Sequence, residues 1–429
     1  MQISAAASLR GEFSVPGDKS ISHRYAILGA MASGKTVIRN YSSSRDCQST
    51  IDCLGGVGVS IRRVGSLVEI DGRGWEAIRS PADLLDAGNS GTTIRLLSAL
   101  LSSAPILSTI AGDESLNTRP MDRIMIPLSR MGAEIQARLQ QFPPLTIRGA
   151  RLQAIEYELP VSSAQVKSCV LLAGLTAEGR TTVVERTPTR DHTERALPHF
   201  GAEFSGSRGR LSVQGGKRLI ACEVDVPGDF SSAVFFMVAA LLLPGSEIRI
   251  RNVGLNPSRT ALLTYLLNAG AEIETADLRT VNSEPAADLV VRHSPVIVDR
   301  FPSSVDPRWI PNLIDEIPLL AVLGCHLEGG LEIRGASELR RKESDRIRAV
   351  VDNLRVLGAE VEEFEDGFRI APNSGPTQLG RLRTFADHRI AMAFSVAGLL
   401  SRHGVELDDP GCAAVSFPEF YSILESVAQ

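Results

Sequence analysis

The chain has 429 residues and a formal net charge of −5; 43% of its residues are apolar and 22% are charged. This balance predicts a globular protein with a large buried core and excludes an intrinsically disordered chain. The negative net charge also argues against a general nucleic-acid binder, because such proteins carry extended basic surfaces. Any site for an anionic ligand must therefore be a local pocket of cations.

Six cysteines are scattered along the chain without a Cys-x-x-Cys pair. In a chain of this length that usage predicts reduced, buried thiols and a reducing compartment. The sequence shows no signal peptide and no apolar run of about 18 residues. We therefore expect a cytoplasmic protein without a membrane segment.

A similar short opening recurs six times, at residues 15–24, 88–95, 162–167, 226–232, 315–318 and 385–389. After each opening come an apolar stretch of small residues, a turn containing Gly and a short β-type run. The period of roughly 65 to 85 residues is too long for a solenoid repeat and fits a small αβ unit. The sequence therefore predicts an α/β protein built from six repeats.

The later part of each repeat supports this count. A second helix-like segment ends in a Gly-Ala-Glu turn at residues 131–135, 200–204, 269–273 and 357–361. Gly is common just past a helix end because it accepts a left-handed backbone.

The sixth repeat ends at the helix-like residues 417–427, without a following strand. Residues 9–17 resemble residues 219–228, so we expect the N-terminal strand to complete the sixth repeat. This predicts two lobes of three repeats each: a first lobe of residues 18–227, and a second lobe of residues 1–17 plus 228–429.

Most openings place a helix-capping residue just before a helical run, at Ser20, Asn89, Ser163, Asp229 and Asp387. Such side chains accept hydrogen bonds from the free N–H groups of a helix N-terminus. The same N–H groups and the partial positive charge of the terminus suit phosphate and carboxylate ligands. Taken singly, each opening is better explained as an ordinary helix cap, because caps at helix starts are common.

Cations accompany the openings, at Lys19, Arg24, Arg95, Lys167, Arg190 and Arg389. Arg119 lies in a turn just before Pro120, and Lys342, Glu343 and Arg346 begin another helix. The alternative for these last three is a solvated, charged helix start. Two cations near a helix N-terminus oppose the helix dipole, however, unless an anion binds there. The recurrence favours a pocket for more than one anion.

Asp315 and Glu343 are the candidates for the acid and the base, and the sequence does not assign which is which. Asp315 lies in the largely apolar residues 314–320, a setting that tends to raise a carboxyl pKa, and Glu343 lies beside cations. Asp191-His192 and Asp387-His388 suggest a metal site at first sight, but no further ligand has suitable spacing, so we predict no metal.

Residues 29–36 match the P-loop pattern of nucleotide-binding proteins. That motif requires a preceding strand and a following helix, and here the predicted order is reversed. We therefore interpret Lys35 as a surface turn residue.

Residues 16–24, 88–95, 341–346 and 387–392 read PGDKSISHR, GNSGTTIR, RKESDR and DHRIAM. In this order they resemble the 3-phosphoshikimate 1-carboxyvinyltransferase (5-enolpyruvylshikimate-3-phosphate, EPSP, synthase) family over essentially the whole chain. The resemblance implies a two-lobed inside-out α/β barrel, with three βαβαββ units per lobe. It also implies transfer of the enolpyruvyl group of phosphoenolpyruvate to the 5-hydroxyl of shikimate 3-phosphate, with release of phosphate, in chorismate and aromatic amino acid biosynthesis.

The resemblance also implies residue roles. The shikimate 3-phosphate ligands would be Lys19, Ser20, Arg24, Ser163, Ala164, Gln165, Arg190, Asp315 and Lys342. The phosphoenolpyruvate ligands would be Lys19, Gly91, Arg119, Gln165, Arg346 and Arg389. Asp315, Glu343 and Lys19 would carry the chemistry, without a metal or an organic cofactor. We expect a monomer whose partners are these small molecules, with no nucleic acid and no membrane.

Two alternatives remain. A sister enolpyruvyl transferase acts on UDP-N-acetylglucosamine, but it typically has a Cys where this chain has Glu114. A non-catalytic anion-binding protein on the same scaffold is disfavoured, because Asp315 and Glu343 would weaken anion binding. Some family members carry a Lys where this chain has Val415, so one anion contact is expected to be absent or replaced.

Overall fold

The computed structural model describes residues 1–372, 374–375 and 378–429. The chain forms two compact units. The first unit comprises Gly17–Val226 with Val281–Glu284, and the second comprises Met1–Pro16, Pro227–Thr280 and Pro285–Gln429.

The strands are β1 (Gln2–Ile3), β2 (Arg10–Ser14), β3 (Ser33–Arg39), β4 (Ser60–Val64), β5 (Leu67–Arg73), β6 (Leu85–Asp86), β7 (Leu107–Ala111), β8 (Glu134–Arg138), β9 (Phe142–Arg148), β10 (Glu156–Glu158), β11 (Arg180–Val184), β12 (Phe204–Ser207), β13 (Arg210–Gln214), β14 (Glu223–Asp225), β15 (Glu247–Gly254), β16 (Ile273–Val281), β17 (Glu284–Arg292), β18 (Leu331–Ile333), β19 (Val361–Phe364), β20 (Gly367–Ile370), β21 (Arg381–Leu382) and β22 (Val405–Leu407). The α-helices are α1 (Lys19–Met31), α2 (Arg45–Gly56), α3 (Gly91–Ser103), α4 (Asp122–Met131), α5 (Ala164–Gly174), α6 (His192–Ala196), α7 (Phe230–Leu242), α8 (Ala261–Asn268), α9 (Val296–Arg300), α10 (Ile310–Leu313), α11 (Ile317–Gly324), α12 (Arg346–Val356), α13 (His388–Leu400) and α14 (Phe420–Val427).

The first unit contains three small sheets with the same topology. Their strand orders are β14-β3-β5-β4, β6-β7-β9-β8 and β10-β11-β13-β12. In each sheet the first two strands are parallel and the remaining neighbours are antiparallel. The second repeat runs β6-α3-β7-α4-β8-β9 along the chain, which is the expected βαβαββ order.

The second unit also contains three sheets in the described part of the chain, ordered β16-β17-β15-β2, β18-β20-β19 and β1-β22-β21. One sheet therefore corresponds to each predicted repeat. The prediction of six α/β repeats is confirmed in the described part of the chain.

The placement of residues 9–17 in the sixth repeat was wrong. Strand β2 instead lies parallel to β15 of the fourth repeat, just as β14 lies parallel to β3 of the first. The likeness between residues 9–17 and 219–228 thus reflects one shared role, as the parallel edge strand of a repeat. The sixth sheet is completed by β1, which lies antiparallel to β22.

The first helix of a repeat lies in the core of its unit because its sequence is apolar on every face. Helix α7 is buried from Phe230 to Leu241, and α13 is buried from His388 to Leu399. Helix α3 packs on α5 in the first unit, and α13 packs on α7 and α11 in the second. Each unit has its own hydrophobic core. A buried Leu or Phe side chain contributes roughly 1.5 to 3 kcal/mol to such a core.

Glycine permits the close approach of strand and helix in these repeats. A Cβ at Gly149 would lie 1.9 Å from the carbonyl oxygen of Ala104, and a Cβ at Gly215 would lie 2.0 Å from that of Ala177. In both repeats the residue after the last strand therefore contacts the end of the first helix directly.

The P-loop alternative fails on element order, because α1 precedes and β3 follows the motif. Lys35 lies within β3 rather than in a turn, and it pairs on the surface with Glu69 at 2.6 Å. Among the helices of the described residues, none combines the length and apolarity needed to cross a bilayer.

Burial of His326 should make the free energy of unfolding depend on pH. It follows α11, and within the described residues its buried Nε2 atom has no hydrogen-bond partner. Burial lowers the pKa of His326 to about 4, whereas the unfolded chain titrates near the ordinary value of 6.5. Protonation therefore favours the unfolded state as pH falls through 6.5 toward 4, and the stability lost at pH 5 is about 2 kcal/mol.

We expect His326→Leu to reduce the loss of stability between pH 7.5 and pH 5. The measurement is the urea midpoint of both proteins at both pH values. His403→Gln, at an exposed position, is the control and should behave as the unsubstituted chain. Identical pH dependence of His326→Leu and the unsubstituted chain would contradict the assignment.

Candidate active site

Each of the helices α1, α3 and α5 of the first unit has a side-chain cap at its N-terminus, as predicted, but two of the capping residues differ from the predicted ones. Asp18, Ser90 and Ser163 cap α1, α3 and α5, each by accepting a hydrogen bond from a backbone N–H in the first turn. The predicted caps Ser20 and Asn89 were therefore wrong by two residues and one residue. Helix boundaries depend on local backbone geometry that a sequence pattern does not fix to the residue. The predicted caps Ser163, Asp229 and Asp387 are confirmed.

Two arginines converge on the N-terminus of α3. Arg119, whose exposed fraction is 7%, donates through Nη2 to Asn89 Oδ1 at 2.7 Å. Arg95 donates through Nη1 to Gln165 Oε1 at 2.9 Å. A Cβ at Gly91 would lie 2.7 Å from Arg95 Nη1 and 3.6 Å from Arg119 Nη1, so both guanidinium groups flank this glycine.

The start of α1 carries the other predicted cations of this unit. Lys19 Nζ pairs with Asp46 Oδ2 at 2.8 Å. Arg24 is buried and donates to the Ser20 carbonyl, the Thr193 hydroxyl and the Ser168 hydroxyl at 2.7 to 2.8 Å. Burial lowers the pKa of Arg24 to about 10, so it remains a cation at neutral pH.

Lys167 is not part of an open anion pocket, contrary to expectation. Its side chain is fully buried, and Nζ lies 2.6 Å from Glu194 Oε1 and 3.2 Å from Glu185 Oε2. Glu185 also accepts hydrogen bonds from the Thr189 N–H at 3.2 Å and from its hydroxyl at 2.9 Å. The ion pair thereby fixes the residue that precedes Arg190.

Arg346 is the centre of the second unit's site. It is 1% exposed at the start of α12. Its Nε lies 2.8 Å from Asp387 Oδ2, its Nη2 lies 2.6 Å from Glu343 Oε2, and its Nη1 lies 3.4 Å from Asp315 Oδ1. One guanidinium thus holds three carboxylates that come from three separate segments of the chain.

Asp315 has a cationic setting rather than the apolar one expected from its neighbours in sequence. Lys342 Nζ lies 3.8 Å from Oδ1, in addition to Arg346, and Arg259 Nη1 lies 3.8 Å from Oδ2. These charges favour the ionised carboxylate. The apolar side chains around it in sequence belong to α11, which begins at Ile317 and points them into the core.

Arg389 is the second residue of α13, two positions after the cap Asp387. Its Nη1 lies 3.4 Å from the Ser231 carbonyl oxygen and 3.7 Å from Glu316 Oε1. Val415 lies half-buried at the end of the 3-10 helix Pro410–Val415, and the expected loss of an anion contact there stays a prediction.

Sequence reasoning missed Arg259, Glu316 and Ser231. A signal for Arg259 exists, because Pro-Ser-Arg259 in the fourth repeat matches Pro-Thr-Arg190 in the third at the same point of the repeat. Glu316 and Ser231 carried no comparable signal, because only the fold brings them next to Arg389.

The predicted site residues therefore form two sets. The first unit holds Lys19, Ser20, Arg24, Gly91, Arg119, Ser163, Ala164, Gln165 and Arg190, and the second unit holds Asp315, Lys342, Glu343, Arg346 and Arg389. Each set is held by contacts within its own unit. That both sets serve one reaction stays a prediction.

Sequence comparison decides the family. The sequence model of EPSP synthase (3-phosphoshikimate 1-carboxyvinyltransferase) matches residues 3–424. The chain belongs to the EPSP synthase family. It is 49% identical over 428 residues to the 3-phosphoshikimate 1-carboxyvinyltransferase of Solibacter usitatus, with 100% of this chain and 99% of the relative covered. It is 46% identical to that of Bacillus licheniformis, with 99% and 98% covered.

Solved structures agree with this assignment. The EPSP synthase of Acinetobacter baumannii superimposes with a TM-score of 0.87 at 38% identity, covering 100% of this chain and 97% of that one. The enolpyruvyl transferase NikO of Streptomyces tendae shares the fold, with a TM-score of 0.80 at 19% identity and the same coverage. The chain accordingly carries out the enolpyruvyl transfer step of the shikimate pathway, which serves aromatic amino acid biosynthesis.

The buried Lys167 pair predicts a large effect on stability. Lys167→Met would leave Glu185 and Glu194 buried without their cation, which costs about 3 to 5 kcal/mol. We expect a clear fall in the urea midpoint of this EPSP synthase family member. Lys217→Met, which breaks the exposed Lys217–Glu203 pair, is the matched control and should leave the midpoint unchanged. Equal midpoints for the two variants would contradict a structural role for Lys167.

Proposed function

We propose that the two sets of residues bind one pair of substrates. Shikimate 3-phosphate is bound by Lys19, Ser20, Arg24, Ser163, Ala164, Gln165, Arg190, Asp315 and Lys342. Phosphoenolpyruvate is bound by Lys19, Gly91, Arg119, Gln165, Arg346 and Arg389. The cations complement the phosphate and carboxylate groups of the two substrates. On this proposal the two compact units act as the two lobes, with the chain crossing near residues 17 and 227.

The observation that carries the proposal is the position of Arg346 between Asp315 and Glu343. A guanidinium suits the planar carboxylate or the phosphate of the donor, because it presents a fork of N–H donors. In the same arrangement two carboxylates lie beside the cation, which anion binding alone would disfavour and proton transfer requires.

The chemistry needs a base and an acid. The 5-hydroxyl loses its proton as its oxygen adds to C2 of phosphoenolpyruvate, and C3 gains a proton. In the tetrahedral intermediate the C2–O bond to phosphate then breaks as C3 gives up a proton, which restores the C2=C3 double bond and releases phosphate. Asp315 is the base, because three cations within 3.8 Å keep it ionised.

Glu343 is the acid: its carboxyl lies beside the same guanidinium, with Oε2 2.6 Å from Arg346 Nη2, and it delivers a proton to C3. Lys19 assists by stabilising the charge that moves onto the phosphate.

The choice of acceptor is tested by phosphate release. The purified chain is mixed with phosphoenolpyruvate and either shikimate 3-phosphate or UDP-N-acetylglucosamine, and inorganic phosphate is followed with time. We expect phosphate to be released when the acceptor is shikimate 3-phosphate and not when it is UDP-N-acetylglucosamine. Release with UDP-N-acetylglucosamine alone, or with neither acceptor, would contradict the proposal.

A monomeric state and a cytoplasmic location remain proposals. Light scattering tests the first. The second rests on cysteine usage, since all six cysteines are free thiols and five of them are buried.

Glu343→Gln separates chemistry from binding. The amide can still accept a hydrogen bond from Arg346 but cannot donate a proton with the ease of a carboxyl, so kcat should fall about 100- to 10,000-fold. Calorimetry should show shikimate 3-phosphate binding within about threefold of the unsubstituted chain. Glu365→Gln, at an exposed position in the same unit, is the control. Equal loss of turnover and of binding would reassign Glu343 to folding or binding.

A further inference from the structure

A buried polar network lies behind Arg389 in the second unit. It contains Arg259, Ser231, Glu316 and Arg389, whose exposed fractions are 5%, 1%, 2% and 6%. Ser231 lies in the first turn of α7, Arg259 lies between β15 and α8, Glu316 immediately precedes α11, and Arg389 lies in the first turn of α13. Four segments that are distant in sequence thus meet at one place.

The direction of the hydrogen bonds is defined. Arg259 Nη2 donates to the Ser231 hydroxyl, and that hydroxyl donates to Glu316 Oε1. The same Oε1 atom lies 3.7 Å from Arg389 Nη1. Glu316 therefore contacts Arg389 directly and Arg259 through one hydroxyl group.

Both arginines face residues of the proposed site. Arg259 Nη1 lies 3.8 Å from Asp315 Oδ2 and Nη2 lies 3.6 Å from the helix cap Asp229. Arg389 is a proposed phosphoenolpyruvate ligand. One buried carboxylate thus controls the position of a cation beside the proposed base and of a cation for the donor.

A buried ion pair is seldom retained for stability alone, because well-packed apolar side chains serve as well. A connected network does fix side-chain directions. We infer that Glu316 is a positioning residue, which orients Arg389 toward phosphoenolpyruvate and, through Ser231, orients Arg259 against Asp315. This inference rests on the proposed function of Arg389 and Asp315.

A double-mutant cycle tests the network. Phosphate release is measured for Glu316→Gln, Arg259→Gln and the double variant, with each substrate varied in turn. We expect Glu316→Gln to raise the KM for phosphoenolpyruvate about tenfold and to leave the KM for shikimate 3-phosphate within about twofold. A merely structural lesion would lower the active fraction, and hence kcat, without changing the KM of the folded molecules.

The cycle should also show coupling. The loss of kcat/KM in the double variant is expected to be about that of the worse single variant, because both substitutions break the same chain of contacts. The matched control is the exposed pair of Arg369 and Glu332 in the same unit, 2.6 Å apart. Its two Gln substitutions should leave both KM values unchanged.

Two results overturn the inference: a KM for phosphoenolpyruvate within twofold of the unsubstituted chain in Glu316→Gln, or single losses that multiply in the double variant. If Glu316→Gln does not fold, Ser231→Ala decides, since it removes one hydroxyl and should lower kcat per folded molecule about tenfold, with the folded fraction measured by circular dichroism. An unchanged kcat per folded molecule overturns the inference. Arg389→Gln tests the proposed function separately from the inference about Glu316. An unchanged KM for phosphoenolpyruvate in that variant refutes the proposed role of Arg389 itself.

Discussion

The site of the second unit depends on the ion pairs that Arg346 forms with three carboxylates. Burial alone would lower the pKa of Arg346, but Asp387, Glu343 and Asp315 together raise it above its usual value, so the buried group stays charged. Each carboxylate comes from a different part of the chain: the cap of α13, the loop before α12 and the residues before α11. The guanidinium thereby sets the spacing of the two proposed proton-transfer groups.

The first unit is built from the same repeat but places different charged side chains at its helix N-termini. The N-termini of α1 and α3 are accompanied by Lys19, Arg24, Arg95 and Arg119, an arrangement that suits the binding of anions. The turn before the second helix supplies an arginine in several repeats, at Arg119, Arg190 and Arg259. In the first unit these arginines flank helix N-termini, whereas Arg259 has been drawn into a buried network around Glu316.

The sequence predicted the six repeats because apolar stretches and glycine turns recur with a regular period, and the family resemblance implied their βαβαββ order. Cations beside helix starts are visible in the sequence, so the charged candidate residues could be named, and their roles in binding and catalysis stay predictions. Prediction from the sequence failed where a residue's surroundings come from distant segments. Lys167 was predicted to line an anion pocket, but it is buried between two glutamates. Asp315 was predicted to have apolar surroundings, but it faces three cations. The prediction of strand pairing was wrong for residues 9–17 for the same reason, because their own sequence does not indicate which sheet they join.

Replacing Arg346 with Lys tests the central claim most directly, because Lys keeps the charge but lacks the fork that holds three carboxylates. The account predicts that kcat/KM for phosphoenolpyruvate falls about 100-fold or more, as expected when a buried, hydrogen-bonded charge network is broken. Arg348→Lys, on the exposed side of the same helix, should leave kcat/KM unchanged. Activity of Arg346→Lys within about threefold of the unsubstituted chain would show that charge alone suffices there, and would contradict the account.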